Sequence, residues 1–206
     1  MMFKSIPTFV FGAALLASGG AFAQATVGQP APAFTATDTA GKAVSLADFK
    51  GKYVVLEWTN PGCPFVQKHY DSGNMPATQK DAVAKGAVWL AVNTTAKDAG
   101  DYMAPAALQA WVKSKNGVPT ATLMDADAKV GRAYGARTTP HMYVIDPQGK
   151  LVYAGAIDSK PTANPADIKT ATNYISQALG EAMAGKPVSQ ATTRAYGCSI
   201  KYSNAG

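Results

Sequence analysis

Two cysteines, Cys63 and Cys198, are the residues of this chain best suited to covalent chemistry, and two histidines, His69 and His141, are its side chains that titrate near neutrality. Two sulfurs cannot build a four-cysteine zinc site or a disulfide-dense miniprotein. Sulfur chemistry here means one pair, whose members lie 135 positions apart. Cys63 follows the turn residues Asn60, Pro61 and Gly62 and precedes Pro64, a residue suited to the first position of a helix. A sulfur at such a strand-to-helix corner faces amides without partners inside the helix, and their partial positive charge favours a nucleophilic thiolate. An inert buried cysteine is the competing assignment. The corner, an exposed location in open α/β sheets, favours the nucleophile.

The surrounding pattern supplies the elements that position this corner. Tyr53 to Trp58 is a continuous apolar run and predicts a buried strand, followed by a helix from Pro64 towards Ala84 with a break at Pro76. Further strands are expected at Ala87–Val92, Thr120–Met124, Met142–Ile145 and Leu151–Ala154, the last two joined by the turn Asp146-Pro147-Gln148-Gly149. Helices are expected at Pro105–Lys115, Ala128–Tyr134 and Pro165–Ala184, with a polar, mobile tail after the last. Asp38 to Lys42 reads as a hairpin turn and Ser45 to Phe49 as one helical turn. Alternating strands and helices ending in a hairpin predict one α/β domain: a central mixed sheet with helices on both faces and a C-terminal tail.

Composition narrows the class. A chain that is 47% hydrophobic and 16% charged is not disordered, and its length suits one domain. The net charge of +6 is scattered over separate lysines rather than interleaved with aromatics, so nucleic acid is not an expected partner. Residues 1–23 read as a secretory signal peptide: Lys4, an apolar stretch from Phe9 to Leu16, and Ala21-Phe22-Ala23 as the cleavage site. Residues 24–206 then form the exported domain, periplasmic or secreted, without stable membrane insertion. In an oxidising compartment a lone cysteine pair is a candidate disulfide.

Three stretches carry a resemblance. VGQPAPAFTATDTAGKAVSLADFKGKYVVLEW, CPFVQKHY and GRAYGARTTPHMYVIDPQGKLVYAG resemble the opening, the active-site helix and the late hairpin of the thioredoxin-like redoxins. The likeness is to the alkyl hydroperoxide reductase/thiol-specific antioxidant (peroxiredoxin-like) proteins and exported thiol–disulfide oxidoreductases. It implies a thioredoxin-like fold and thiol–disulfide exchange on protein or small-molecule thiols and disulfides or on peroxides; with no dinucleotide fingerprint in the sequence, no organic cofactor is expected. A thioredoxin-like protein would act as reductant. Residue by residue, the resemblance makes Cys63 the attacking cysteine and Pro140, after Thr139, a cis-proline. The Thr139-Pro140 loop, with Pro64 opposite, would present an extended substrate. Glu57, inside the buried run, falls where thioredoxins keep a proton-relaying carboxylate; a salt bridge to Lys68 is the structural alternative.

The chain also departs from these relatives. Where thioredoxins carry their second cysteine it has Val66, and where peroxiredoxins carry a threonine three residues before the cysteine it has Asn60, with Thr59 one step off. No arginine stands at the late-strand position, although Arg132, Arg137 or Arg194 could approach in space. Cys198 is the remaining candidate to resolve Cys63 from the tail; a static Cys63–Cys198 bridge in a redox-inert binding module and two cysteines that never meet are the alternatives. A copper-binding chaperone using Cys63, His141 and Met142 is a further alternative. His69, 600° of helix after Cys63, is expected at the surface or an interface.

Overall fold

The computed structural model describes residues 24–202, so the expected signal peptide lies outside the described residues. Among these, no helix is long and apolar enough to cross a membrane. The central element is β3 (Val54–Trp58), buried along its whole length because it has neighbours on both edges and helices or loops on both faces. It runs parallel to β4 (Val88–Asn93), which runs parallel to β5 (Ala121–Met124). The hairpin β1 (Thr35–Asp38) and β2 (Ala43–Ser45) extends this side antiparallel to β5.

On the other side, β7 (His141–Ile145) pairs antiparallel with β3, and β8 (Leu151–Gly155) with β7, giving a seven-stranded mixed sheet. Two two-residue strands stand apart: β6 (Thr138–Thr139), just before β7, pairs antiparallel with β9 (Cys198–Ser199) in the tail.

One face of the sheet carries α1 (Pro64–Asp71), α2 (Asn74–Ala84) and α5 (Tyr174–Met183), packed on Val55, Trp89, Met142 and Val144. The other carries α4 (Lys129–Tyr134), the 3₁₀ turn Leu46–Phe49 and the N-terminal segment, packed on Leu56, Trp58, Leu90 and Tyr143. The remaining helix, α3 (Pro105–Ser114), sets Trp111 against Tyr70 of α1. Helices thus cover both faces, as expected.

Two helix boundaries differ from expectation. The break after α1 falls at Ser72-Gly73, where Gly73 takes φ 75°, and not at Pro76. Pro76 sits in the first turn of α2, where its missing N–H costs no intrahelical bond. The closing helix is likewise two pieces: Pro165–Thr170 is a 3₁₀ turn capped by Asn164, and α5 restarts from Asn173, whose side chain accepts from Ile175 N and Ser176 N at 3.0 Å each. Two capping asparagines nine residues apart mark two starts where apolar spacing suggests one helix.

Candidate active site

The corner after β3 is built by Asn60. Its Oδ1 accepts from Gly62 N at 2.7 Å and its backbone carbonyl accepts from Cys63 N at 3.0 Å. Its Nδ2 donates to Thr95 Oγ1 at 3.2 Å and to Asp101 Oδ2 at 2.9 Å, tying the turn to the loop after β4. Cys63 becomes the N-cap of α1, with extended backbone and Pro64 behind it. Its thiol donates to the carbonyl of Thr139 at 3.0 Å, and the Thr139–Pro140 bond is cis. Cys63 and the Thr139-Pro140 loop therefore meet as expected. Pro64 is exposed beside them.

The expected exposure of Cys63 is not observed: it is 2% accessible. What packs over it is the tail, described through Tyr202 and paired with β6 instead of hanging loose. Thr139 pairs with Cys198 across β6 and β9, so the second thiol comes to the first. Both cysteines are free. Burial, the hydrogen bond with Cys63 and the charge of Cys63 push the Cys198 thiol up to about 12, with Lys201 pulling the other way. Close backbone contact makes the pairing possible. Gly197 has φ 133°, and a Cβ there would lie 2.0 Å from the Thr139 carbonyl oxygen. Gly155 does the same for the start of the tail, where a Cβ would strike Thr193.

Anchors lie on both sides of Cys198. Before it, Thr193 Oγ1 accepts from Ala156 N at 2.9 Å and sits 2.6 Å from the Tyr153 hydroxyl. The Tyr196 hydroxyl donates to Asp158 and lies 3.1 Å from His69 Nε2, while its ring meets Phe65 edge-on. After it, Ile200 N donates to Arg137 O at 3.0 Å, Lys201 pairs with Asp101, and Tyr202 donates to Ala136 O.

Three expectations need correction. His69 is fully buried, because Tyr196 of the tail closes over that side of α1. Burial lowers its pKa to about 4 against the pull of Asp158, so the imidazole is neutral. Lys68 does not pair with Glu57; it is buried against Asp158 at 3.4 Å and donates to Lys160 O at 2.8 Å. His141 stacks on Tyr143 at 4.6 Å, on the side of β7 opposite Met142, which packs with Cys63. The Cys63–His141 copper pair is therefore not assembled. Thr59 is fully buried, and its hydroxyl lies on the side of Glu57 and Tyr70.

Glu57 is fully buried on the same face as Cys63 and accepts from Tyr70 at 2.9 Å, Gln79 at 3.0 Å and Trp89 at 2.7 Å. Among the described residues no hydrogen bond joins it to Cys63. Burial raises its pKa above the ordinary carboxylate range, against hydrogen bonds from Trp89, Tyr70, Gln79 and Thr59. The native state therefore keeps this proton to higher pH than the unfolded chain, so its contribution to stability falls as pH rises through that window. The wild-type advantage over Glu57→Gln in urea unfolding should be largest in acid and decline as pH rises above the ordinary carboxylate range. A difference that stays flat would contradict the assignment.

Asp101 and Asp158 carry no signal in the sequence, and Asn60 reads there only as a turn residue. The glycine and aromatics around Cys198 are the local sign that the tail docks.

Comparisons with known proteins agree with the fold. Residues 27–154 match the profile of the AhpC/TSA family. Over 125 residues the chain is 32% identical to the thiol-disulfide oxidoreductase ResA of Bacillus subtilis (strain 168), covering 61% of this chain. It spans only 64% of that relative's length. Among solved structures, an uncharacterized conserved protein from Geobacillus kaustophilus superposes with TM-score 0.72 at 27% identity, covering 88% of this chain and 94% of the other. The thioredoxin domain of a thiol-disulfide oxidoreductase from Bacteroides vulgatus superposes with TM-score 0.51 at 25% identity, covering 70% and 96%.

Proposed function

The chain belongs to the AhpC/TSA family, with a thioredoxin-like fold, and from that premise we propose an exported thiol–disulfide oxidoreductase that cycles Cys63 against Cys198. The observation that carries this is the juxtaposition of two free thiols, 135 positions apart, on either side of the Thr139-Pro140 loop.

The Cys63 thiol first gives up its proton. Its thiolate attacks one sulfur of a substrate disulfide, expels the other as a thiolate and forms a mixed disulfide. Capping Cys63 as a mixed disulfide ends the hydrogen bond that Cys63 and Cys198 share. The Cys198 thiolate then attacks the Cys63 sulfur, closes the Cys63–Cys198 disulfide and releases the substrate's second thiolate. The two protein thiols lose two electrons and two protons, and the substrate disulfide becomes two thiols. The reverse sequence oxidises a dithiol partner, and a thioredoxin-like protein would return the pair to its reduced form. A peroxide would instead give a sulfenic acid on Cys63, from which Cys198 displaces water.

Glu57 enters as a positioning residue. Tyr70, its hydroxyl donor, stands about two turns along α1 from Cys63. The ResA match supports exchange on thiols and disulfides. Export rests on residues 1–23.

Cys198→Ser tests the cycle. Incubated with oxidised glutathione, the variant should accumulate one glutathionyl group on Cys63. The wild type should pass through that state to an internal disulfide. Equal accumulation in both proteins would remove Cys198 from the cycle.

A further inference from the structure

The Thr138-Thr139 edge, where an extended partner would pair, is already occupied by the chain's own β9. Two residues before Cys198, Tyr196 seats in a buried polar cluster that plays no part in the exchange chemistry. The hydrogen bonds of this cluster run in one consistent direction. Asn74 Nδ2 donates to His69 Nδ1 at 2.8 Å, which leaves His69 Nε2–H to donate to the Tyr196 oxygen, and the Tyr196 hydroxyl donates to Asp158. Lys68 Nζ completes it, 3.4 Å from Asp158 and 5.6 Å from the centre of the Tyr196 ring. Lys68, His69 and Asp158 are each at most 2% accessible. A lysine and an aspartate are kept out of water together only at considerable cost, and here both converge on one tail side chain.

We infer that the tail is a strap closed over Cys63, that Tyr196 is the positioning residue that latches it, and that Cys63 meets an outside partner only while the strap is lifted. In the reduced, strapped form the attacking sulfur is shielded from extended polypeptides and from small reagents alike. Cys198 lies directly opposite it for closure. The latch sets how often the strap opens, because the Tyr196 hydroxyl exchanges two buried partners for water when it leaves.

The inference rests on Cys63 being the attacking sulfur, and its test is independent of disulfide chemistry. In the full chain carrying Cys198→Ser, the rate at which iodoacetamide alkylates Cys63 reads the lifted fraction. Adding Tyr196→Phe keeps the ring but removes both hydroxyl bonds. The rate should rise about tenfold or more, one of the two bonds being to a charged group. A maleimide carrying a polyethylene glycol chain should accelerate by the same factor, since one opening admits both. Tyr53→Phe removes a comparable hydroxyl bond, to Ala182 O at 2.8 Å, away from the strap, and should leave the rate unchanged.

An unaltered rate in Tyr196→Phe would overturn the latch. An equal rise in Tyr53→Phe would reduce it to general loosening and overturn it too. Alkylation of Cys63 in Cys198→Ser alone at the rate of a free model thiol would overturn the strap. Each result leaves the glutathione trap on Cys198→Ser standing, so the strap and the redox cycle fail separately.

Discussion

Gly197→Val is expected to slow closure of the Cys63–Cys198 disulfide by about a hundredfold or more. A Cβ at this position would lie 2.0 Å from the Thr139 carbonyl oxygen and 2.7 Å from its carbon, and both atoms belong to the backbone. A side-chain shift cannot relieve that contact, so β9 must come off β6. Valine is also strained at φ 133°. Cys198 would then be held only by its flanking anchors, without the register that sets it opposite Cys63, and its effective concentration would fall towards that of a loop. In the native pairing it is held opposite, and orientation alone is worth several powers of ten in effective molarity. Quenching the oxidation at intervals with a thiol alkylator gives the closure rate. Gly180→Ala, in α5 with nothing within 4 Å of the added methyl, provides a control that should close at the wild-type rate. Wild-type closure in Gly197→Val would show that the β6–β9 pairing does not bring the thiols together.

Asp158→Ala should be the most destabilising single change around the strap, at about 3–5 kcal/mol. The lost carboxylate accepts from Tyr196 and pairs with Lys68, whose side chain is 0% accessible. With Asp158 gone, Lys68 Nζ keeps the Lys160 carbonyl and the face of Tyr196 but loses its counter-charge, and remains a buried, uncompensated charge. Removing both charges with Lys68→Met and Asp158→Leu should recover most of that loss, because an apolar pair of similar volume avoids the desolvation cost. Urea unfolding of the three proteins checks this. A cost below about 1 kcal/mol for Asp158→Ala would mean that the pair is solvated, contrary to its burial.

The part of the site written in local sequence was legible. Asn60-Pro61-Gly62 before Cys63 and Pro64 after it specify a strand-to-helix corner, and the turn at Asp146–Gly149 specifies the hairpin that follows the Thr139-Pro140 loop. The buried strand around Glu57 was equally plain from its unbroken apolar run.

What depends on distant partners was not legible. Helical spacing alone places His69 away from Cys63, and nothing in the CPFVQKHY stretch shows that Tyr196, 127 positions on, will close over it. Lys68 lies in a buried run of three, Lys68-His69-Tyr70, which no helical period explains. Each is satisfied by a different partner: Asp158, Tyr196 and Glu57. The tail read as mobile because it is polar and lacks periodicity. Its order comes instead from close backbone contact at Gly155 and Gly197 and from single side chains placed on folded loops. Glu57 shows the reverse: its burial was evident, while the Tyr70, Gln79 and Trp89 donors that satisfy it come from two helices and the neighbouring strand.

The pairing of Cys63 with Cys198 is the claim on which the functional account turns, and one measurement addresses it directly. The full chain, reduced and then treated with a small excess of oxidised glutathione, is acidified, digested and mapped by mass spectrometry. The account predicts a chain lighter by two hydrogens, with the Cys63 and Cys198 peptides joined to each other within one molecule. A chain that remains a dithiol, carries glutathione on Cys63 without closing, or joins its cysteines only between molecules would contradict it.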